Sequence, residues 1–330
     1  MKATDPNLPW KLLSLDTDSL KTRREPEGVT LRILVTGGCG FLGQAIVASL
    51  ARAGHLVLAA HRSPAHPDAS LGTCISGDYR DPKFAEYALA EADALIHFGS
   101  SAVPRTTTFD DHEVAQAVRT EANFLGQAIE AGVKKIVIAS SGGTVYGDST
   151  AHVPWRESDP IRPINAYGAV KAGSERALFD AVNGSEAIGV ALRIGNAYGP
   201  SQLSKPRFGL IPTIAARMRN GEPVELWGAD VTRDYIHAED VADAVSRSLK
   251  YRGSSGPFNI GTGVGHTNRE VLHLVQDYLD ITATTIISDK PGTDAAWNVL
   301  DGSLARQELD FVATIDLESG VKNTLGSQHT

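Results

Sequence analysis

From Leu31 to Ile194 the apolar residues fall into short unbroken runs separated by longer stretches with helical spacing. Arg32-Ile33-Leu34-Val35-Thr36 is typical of the runs: it is apolar at consecutive positions, as a strand covered on both faces must be. The pattern predicts strand 31–36, helix 42–53, strand 55–60, helix 82–91, strand 93–98, helix 111–131, strand 134–140, helix 165–183 and strand 187–194. Strands alternating with helices give an α/β fold, a Rossmann-type doubly wound parallel sheet. After Gly199-Pro200 the rhythm breaks into mixed segments punctuated by turns such as Asn220-Gly221. The expected organisation is a nucleotide-binding domain over 31–200 and a smaller mixed α/β substrate-binding part over 201–330, with some chain returning to the sheet.

Residues 1–30, with Pro6, Pro9, Pro26 and the run Lys21-Thr22-Arg23-Arg24-Glu25, read as a flexible extension. Leu8, Trp10, Leu12, Leu13 and Leu15 offer it a way to dock on a surface groove.

The first predicted strand runs into Thr36-Gly37-Gly38-Cys39-Gly40-Phe41-Leu42-Gly43, and a helix follows at once. In that strand–turn–helix setting Gly37 permits the tight turn, Gly40 lets backbone amides approach a pyrophosphate, and Gly43 lets helix and strand pack closely. No Gly-Lys-Ser/Thr follows, which excludes a Walker-type loop. A strand that serves an unmodified adenosine ribose normally ends in an acid; here it ends Ala59-Ala60-His61-Arg62-Ser63. Arg62 with Ser63, helped by His61, suits a ribose 2′-phosphate, so the sequence favours NADP over NAD while leaving both open. In Gly77-Asp78-Tyr79-Arg80-Asp81, Asp78 either bonds the adenine amino group or caps the helix that starts near Pro82.

Tyr167-Gly168-Ala169-Val170-Lys171 places a phenol and an ammonium four residues apart, on one face of a helix. A free phenol has a pKa of about 10, and each unit of depression takes roughly 1.4 kcal/mol of interaction with nearby positive charge. Lys171 and an oxidised nicotinamide are the two sources of that charge. Together with the glycine segment upstream, the pair points to hydride chemistry.

Composition narrows the partners. The net charge of −8 argues against nucleic acid as the main partner. The two cysteines, Cys39 and Cys74, form neither a metal-ligand spacing nor a disulfide framework, which suits a reducing, cytoplasmic setting. No apolar run approaches a membrane span or a secretory signal.

In order along the chain, the glycine segment, Gly77-Asp78, Leu95-Ile96-His97-Phe98-Gly99-Ser100, Asn123, Ser140-Ser141-Gly142-Gly143-Thr144-Val145-Tyr146-Gly147, the Tyr167–Lys171 pair, Arg193 to Pro200, Arg233-Asp234-Tyr235-Ile236-His237 and Phe258-Asn259-Ile260-Gly261 resemble the extended short-chain dehydrogenase/reductase family. Within it the likeness is to nucleotide-sugar epimerases and dehydratases of the UDP-glucose 4-epimerase type, over roughly 31–325. The resemblance implies that Lys171 also bonds the nicotinamide ribose and that Gly37, Gly40 to Gly43, Arg62, Asp78, Tyr79, Phe98 to Ser100 and Asn123 contact the cofactor. It assigns Ser101, Asn196 and Arg233 to the nucleotide sugar, the last two to its phosphates. It also implies a homodimer built through the helices at 111–131 and 165–183.

Two departures stand out. The hydroxyl that usually completes the catalytic set falls at Gly142, so Ser141 or Thr144 must supply it. Near Lys290-Pro291-Gly292-Thr293-Asp294, where relatives often place an arginine, Lys290 offers only a point charge. The implied reaction is 4-epimerisation: Tyr167 takes the proton of the sugar 4-hydroxyl as hydride leaves C4, and the keto sugar turns over before hydride returns. Gly143 and Thr144 stand where dehydratases carry acids, which counts against dehydration. The alternatives are an NADPH-dependent nucleotide-linked 4-ketosugar reductase and a non-catalytic nucleotide-binding protein.

Overall fold

The structure, a computed structural model, describes residues 12–13, 30–62, 73–100, 102, 110–203, 209–289 and 295–326. In its first half β1 (Leu12–Leu13), β2 (Arg32–Thr36), α1 (Phe41–Arg52), β3 (Leu56–His61), β4 (Thr73–Ser76), α2 (Pro82–Leu89), β5 (Ala94–His97), α3 (Asp111–Glu130), β6 (Lys135–Ser141), the one-turn α4 (Gly142–Val145), α5 (Ala166–Val182) and β7 (Ile188–Ile194) follow one another. The second half comprises β8 (Asn196–Tyr198), α6 (Leu210–Arg219), β9 (Val224–Trp227), β10 (Thr232–His237), α7 (Ala238–Lys250), β11 (Gly256–Ile260), β12 (Gly265–Thr267), α8 (Asn268–Leu279), β13 (Thr285–Ser288), β14 (Trp297–Asn298), α9 (Ser303–Leu309) and α10 (Leu317–Gly326).

The main sheet has the order β1-β4-β3-β2-β5-β6-β7-β11, parallel throughout except for β1, which pairs antiparallel with β4. Apart from that pairing and residue 30, the expected N-terminal extension lies outside the described residues. Consecutive apolar residues in each strand feed opposite cores. Ile33 and Val35 pack with Ile46, Leu50, Val241 and Val245 from α1 and α7, whereas Leu34 packs with Phe84, Phe124 and Leu178 from α2, α3 and α5. This two-sided burial is why the strands carry unbroken apolar runs.

β11 returns to the main sheet beside β7. A third core, including Tyr198, Ile214, Leu226, Tyr235, Val271 and Leu325, belongs to the smaller part. Its β10 pairs with β8, β12 and β14, so the chain leaving β7 is tied at once to the second half. Among the described residues no helix is long and apolar enough to cross a membrane.

Candidate active site

The glycine turn is built by contact as much as by torsion. Gly37 sits at φ 70°, where a side chain is strained, and a Cβ on it would lie 2.8 Å from Gly99 N and 2.9 Å from the Phe98 carbonyl. A Cβ on Gly43 would lie 2.0 Å from the Gly37 carbonyl oxygen, so α1 can approach β2 only as glycine. Gly40 caps α1 without a side-chain hydrogen bond, and no acid sits in the first turn. A helix that opens directly after a glycine turn, with no side chain capping it, is the arrangement in which a dinucleotide pyrophosphate is held.

At the adenosine end His61 closes β3, buried, with both ring nitrogens lacking a partner among the described residues. Arg62 beside it is exposed. Ser63 lies outside the described residues. The helix cap considered for Asp78 is made by Asp81, which accepts from Lys83 N at 3.0 Å. Asp78 instead accepts from Arg80 through Nε at 2.9 Å and Nη2 at 2.5 Å. Burial pushes its carboxyl up, but the Arg80 bonds and the nearby Arg62 charge outweigh this and hold it below its ordinary value. Tyr79 is turned into the core, its hydroxyl donating to Glu121 Oε1 at 2.9 Å, so only its backbone is left for a nucleotide.

Tyr167 stands in the first turn of α5, which Asn165 caps by accepting from Gly168 N at 2.9 Å. Gly168 is pressed against α4: a Cβ there would lie 2.5 Å from the Thr144 carbonyl oxygen. The Tyr167 phenol is hydrogen-bonded to Ser141, while Thr144 Oγ1 is buried without a partner among the described residues. Of the two candidate hydroxyls, Ser141 is therefore the one that touches Tyr167. The usual position is closed, because a Cβ on Gly142 would meet Leu300 Cδ1 at 2.6 Å.

Lys171 Nζ lies 5.7 Å from the Tyr167 ring centroid and donates to the Ala139 carbonyl at 2.9 Å. The helical spacing thus places the pair side by side, but lowering of the phenol by Lys171 alone is not achieved here. Burial pushes Tyr167 up to about 12, and the Ser141 hydrogen bond pulls against it. Burial also pulls the Lys171 ammonium below its ordinary value, against the attraction of Glu121 and Glu175.

Beneath this pair lies a buried polar network. Arg193 grips Glu175 through Nε at 3.0 Å and Nη2 at 2.7 Å, and Ser140 donates to the same carboxylate. Arg193 Nη1 also reaches the Tyr146 hydroxyl at 2.8 Å, which donates to Asn259 Oδ1 at 2.7 Å. Burial pushes the Tyr146 phenol up to about 12 despite the guanidinium. One set of bonds thus joins three sequence motifs, those of Ser140 to Gly147, Arg193 to Pro200 and Phe258 to Gly261, through Glu175. Asp234 does the same on the other side, accepting from Thr262 N at 2.8 Å, Gly263 N at 3.0 Å and Leu300 N at 3.2 Å.

Phe98, Gly99 and Ser100 follow β5 half-buried beside the glycine turn, and Ser100 Oγ accepts from Ala102 N at 3.2 Å. Asn123 is exposed on α3, two residues on from the buried Glu121. Asn196 is exposed on β8. Arg233 lies on β10, its guanidinium donating to the Thr232 and Ala295 carbonyls at 2.8 Å each. Ser101 and Lys290 lie outside the described residues. Among residues given no role from sequence, Glu121 and Glu175 carry the charge around Lys171. Their one sequence signal is an acid inside an otherwise apolar helical stripe, as in Ala117, Glu121, Phe124, Leu125 and Ala128.

A parallel sheet with an uncapped glycine turn at one strand end, and a tyrosine with its lysine two strands along, defines a Rossmann-type enzyme of the extended short-chain class. The chain belongs to the NAD dependent epimerase/dehydratase family, whose model matches residues 33–261. It is 29% identical to an Escherichia coli dTDP-4-dehydro-6-deoxyglucose reductase over 89% of this chain and 96% of that protein. It is 31% identical to the UDP-glucose 4-epimerase of Lacticaseibacillus casei over 87% of this chain and 93% of the relative. The crystal structure of the Thermus thermophilus UDP-glucose 4-epimerase in complex with NAD superposes with a TM-score of 0.81, at 28% identity, over 90% of this chain and 98% of that one. The chain is thus an NAD(P)-dependent enzyme of the nucleotide-sugar epimerase kind.

Proposed function

We propose that the protein is a nucleotide-sugar 4-epimerase in which Tyr167 is the proton acceptor, Ser141 its hydrogen-bonding partner and Lys171 its electrostatic support. The observation that carries this reading is the Ser141–Tyr167–Lys171 cluster. The turn fits a dinucleotide, because its close contacts leave no room for side chains and no side chain caps the helix that follows. Gly37, Gly40, Phe41, Leu42 and Gly43 would hold the pyrophosphate and Phe98 to Ser100 the nicotinamide side. Bound there, the nicotinamide supplies the site that accepts and returns hydride.

Tyr167, in its phenolate form, takes the proton of the sugar 4-hydroxyl and returns it after the keto sugar has presented its other face. The high apo value of the phenol makes this form depend on positive charge delivered with the oxidised cofactor. Ser141 donates to the phenolate oxygen. Asn196 and Arg233 bind the sugar-nucleotide phosphates, which holds C4 in reach of hydride transfer. The substrate class is a nucleoside-diphosphate sugar, UDP-glucose first among candidates. A homodimer through α3 and α5 is part of this reading.

For the adenosine end we propose a preference for NADP, since His61 replaces the ribose-binding acid and Arg62 follows it. That observation favours a second reading, an NADPH-dependent 4-ketosugar reductase using the same Tyr167 and Lys171, in line with the activity named for the Escherichia coli relative. The deciding experiment identifies the cofactor released from denatured protein by mass spectrometry, then incubates the enzyme with UDP-, dTDP- and GDP-sugars. A C4 epimer formed with no net redox change supports the epimerase. NADPH oxidised stoichiometrically, and only with a 4-keto sugar, replaces it with the reductase.

A further inference from the structure

Asp234, on β10, is only 1% exposed. A carboxylate so placed is costly unless its oxygens are filled by donors. Here both are. Oδ1 accepts from Thr262 N at 2.8 Å and from Thr262 Oγ1 at 2.7 Å, and Oδ2 accepts from Gly263 N at 3.0 Å and from Leu300 N at 3.2 Å. The fit admits nothing further, since a Cβ on Gly261 would strike Oδ2.

The bond to Leu300 leads by contact to the catalytic turn. The segment before Leu300 is sewn to β10 residue by residue: Thr232 N donates to the Ala296 carbonyl at 2.9 Å, Arg233 pairs in parallel register with Asn298 of β14, and Asp234 takes the amide of Leu300. The Leu300 δ-methyls then wedge against Gly142, whose carbonyl accepts from Asn298 Nδ2 at 3.0 Å. Gly142 opens α4. Two residues on, the Thr144 carbonyl oxygen bears on Gly168, where a Cβ would lie 2.5 Å away. Gly168 follows Tyr167 in the first turn of α5. An unbroken run of hydrogen bonds and packed contacts thus joins the Asp234 carboxylate, through Leu300 and α4, to the turn that carries Tyr167.

Resting on the reading of Tyr167 as proton acceptor, we propose that Asp234 is a positioning residue for the reaction: by holding the Leu300 amide it sets how closely α4 stands against α5, and so where Tyr167 presents its phenol to the sugar. Arg233 is its neighbour on β10. The strand that grips the sugar-nucleotide phosphates in this reading therefore also places the proton acceptor.

The test measures cofactor-binding sites, KM and kcat per site on the purified full-length protein, using whichever of the UDP-, dTDP- and GDP-sugars the wild type turns over. Asp234→Asn keeps the shape but turns an amide nitrogen toward donors that had met a carboxylate oxygen. It is expected to lower kcat per site about ten- to hundredfold, with cofactor affinity and KM within about threefold of the wild type. A merely structural role would reduce the number of sites and leave the rate at each unchanged. Leu300→Ala, which keeps the carboxylate and the amide and removes only the wedge, is expected to lower kcat per site to a similar extent, and the double variant no further than the worse single one. Asp234→Asn with a rate per site within about twofold of the wild type, or losses that multiply in the double variant, overturns the proposal. Should Asp234→Asn not fold, Leu300→Ala decides, and an unchanged rate per site in it overturns the proposal. A wild type that binds cofactor yet converts none of the sugars removes the role of Tyr167 and the proposal with it, an outcome separate from an active enzyme indifferent to Asp234→Asn.

Discussion

Leu300 fills the space that any side chain at Gly142 would need, with its δ-methyl carbons 2.6 and 2.8 Å from a Cβ placed there. The segment carrying Leu300 is fixed over α4: Asn298 Nδ2 donates to the Gly142 carbonyl at 3.0 Å, and Trp155 N donates to the Val299 carbonyl at 2.9 Å. The glycine is therefore part of a different packing solution, in which the proposed mechanism takes its hydroxyl from Ser141. Gly142→Ser is expected to lower stability by about 1–3 kcal/mol through overpacking and to leave kcat no higher. Melting curves and turnover of Gly142→Ser, alone and with Leu300→Ala, check this, since the double variant makes room and is expected to regain part of the loss.

In the proposed mechanism Ser141 and Tyr167 carry the proton chemistry. Tyr167→Phe is expected to reduce turnover at least about 10³-fold while cofactor affinity stays nearly constant, and Ser141→Ala to reduce it by about 10²-fold. Steady-state kinetics paired with cofactor titration separates the two effects. Turnover undiminished in Tyr167→Phe removes the mechanism.

Tyr146 makes alkaline stability diagnostic. Burial, ahead of the opposing pull of Arg193, pushes its phenol from 10.0 to about 12. A group whose pKa rises on folding contributes stability in full below the unfolded value and loses it as pH climbs to the folded one. The window is thus about pH 10 to 12, and the loss is about 2–3 kcal/mol for this residue. Tyr146→Phe is expected to start less stable and to show a shallower alkaline fall, measured as melting temperature against pH.

Arg193 and Glu175 form a pair whose side chains are 4% and 3% exposed. Arg193→Ala leaves a buried carboxylate without its cation and is expected to cost about 3–5 kcal/mol. Chemical denaturation of the variant checks it, and a loss below 1 kcal/mol, the size of a surface pair, refutes the structural role.

Arg62 tests the adenosine end. Arg62→Ala is expected to weaken NADP binding by about tenfold or more while sparing NAD, because a guanidinium on a 2′-phosphate is a charge-assisted bond that NAD cannot make. Equal losses for both nucleotides remove the proposed preference.

The sheet is legible in the sequence because covering a strand on both faces leaves consecutive apolar residues, as in Ile33-Leu34-Val35, and because Gly37 and Gly43 sit where backbone contact admits nothing larger. The Tyr167–Lys171 pairing is legible from helical spacing alone. Glu121 is not, since an acid in a helix reads as a solvated residue until Tyr79 and His97, both from outside that helix, are seen to bond it. Leu300 leaves no mark, because a leucine that replaces a missing side chain looks like any other core residue.

That seat for Leu300 also sets an order of events during synthesis. The glycine turn and the Tyr167 helix leave the ribosome early, yet the floor under α4 is laid only when the chain has reached residue 300. A nascent chain thus has its nucleotide cradle before the bed of its catalytic hydroxyl is complete. Chains ending before residue 298 are expected to capture the dinucleotide without turning over sugar, which binding and activity assays on ribosome-stalled chains of graded length would register as two separate thresholds.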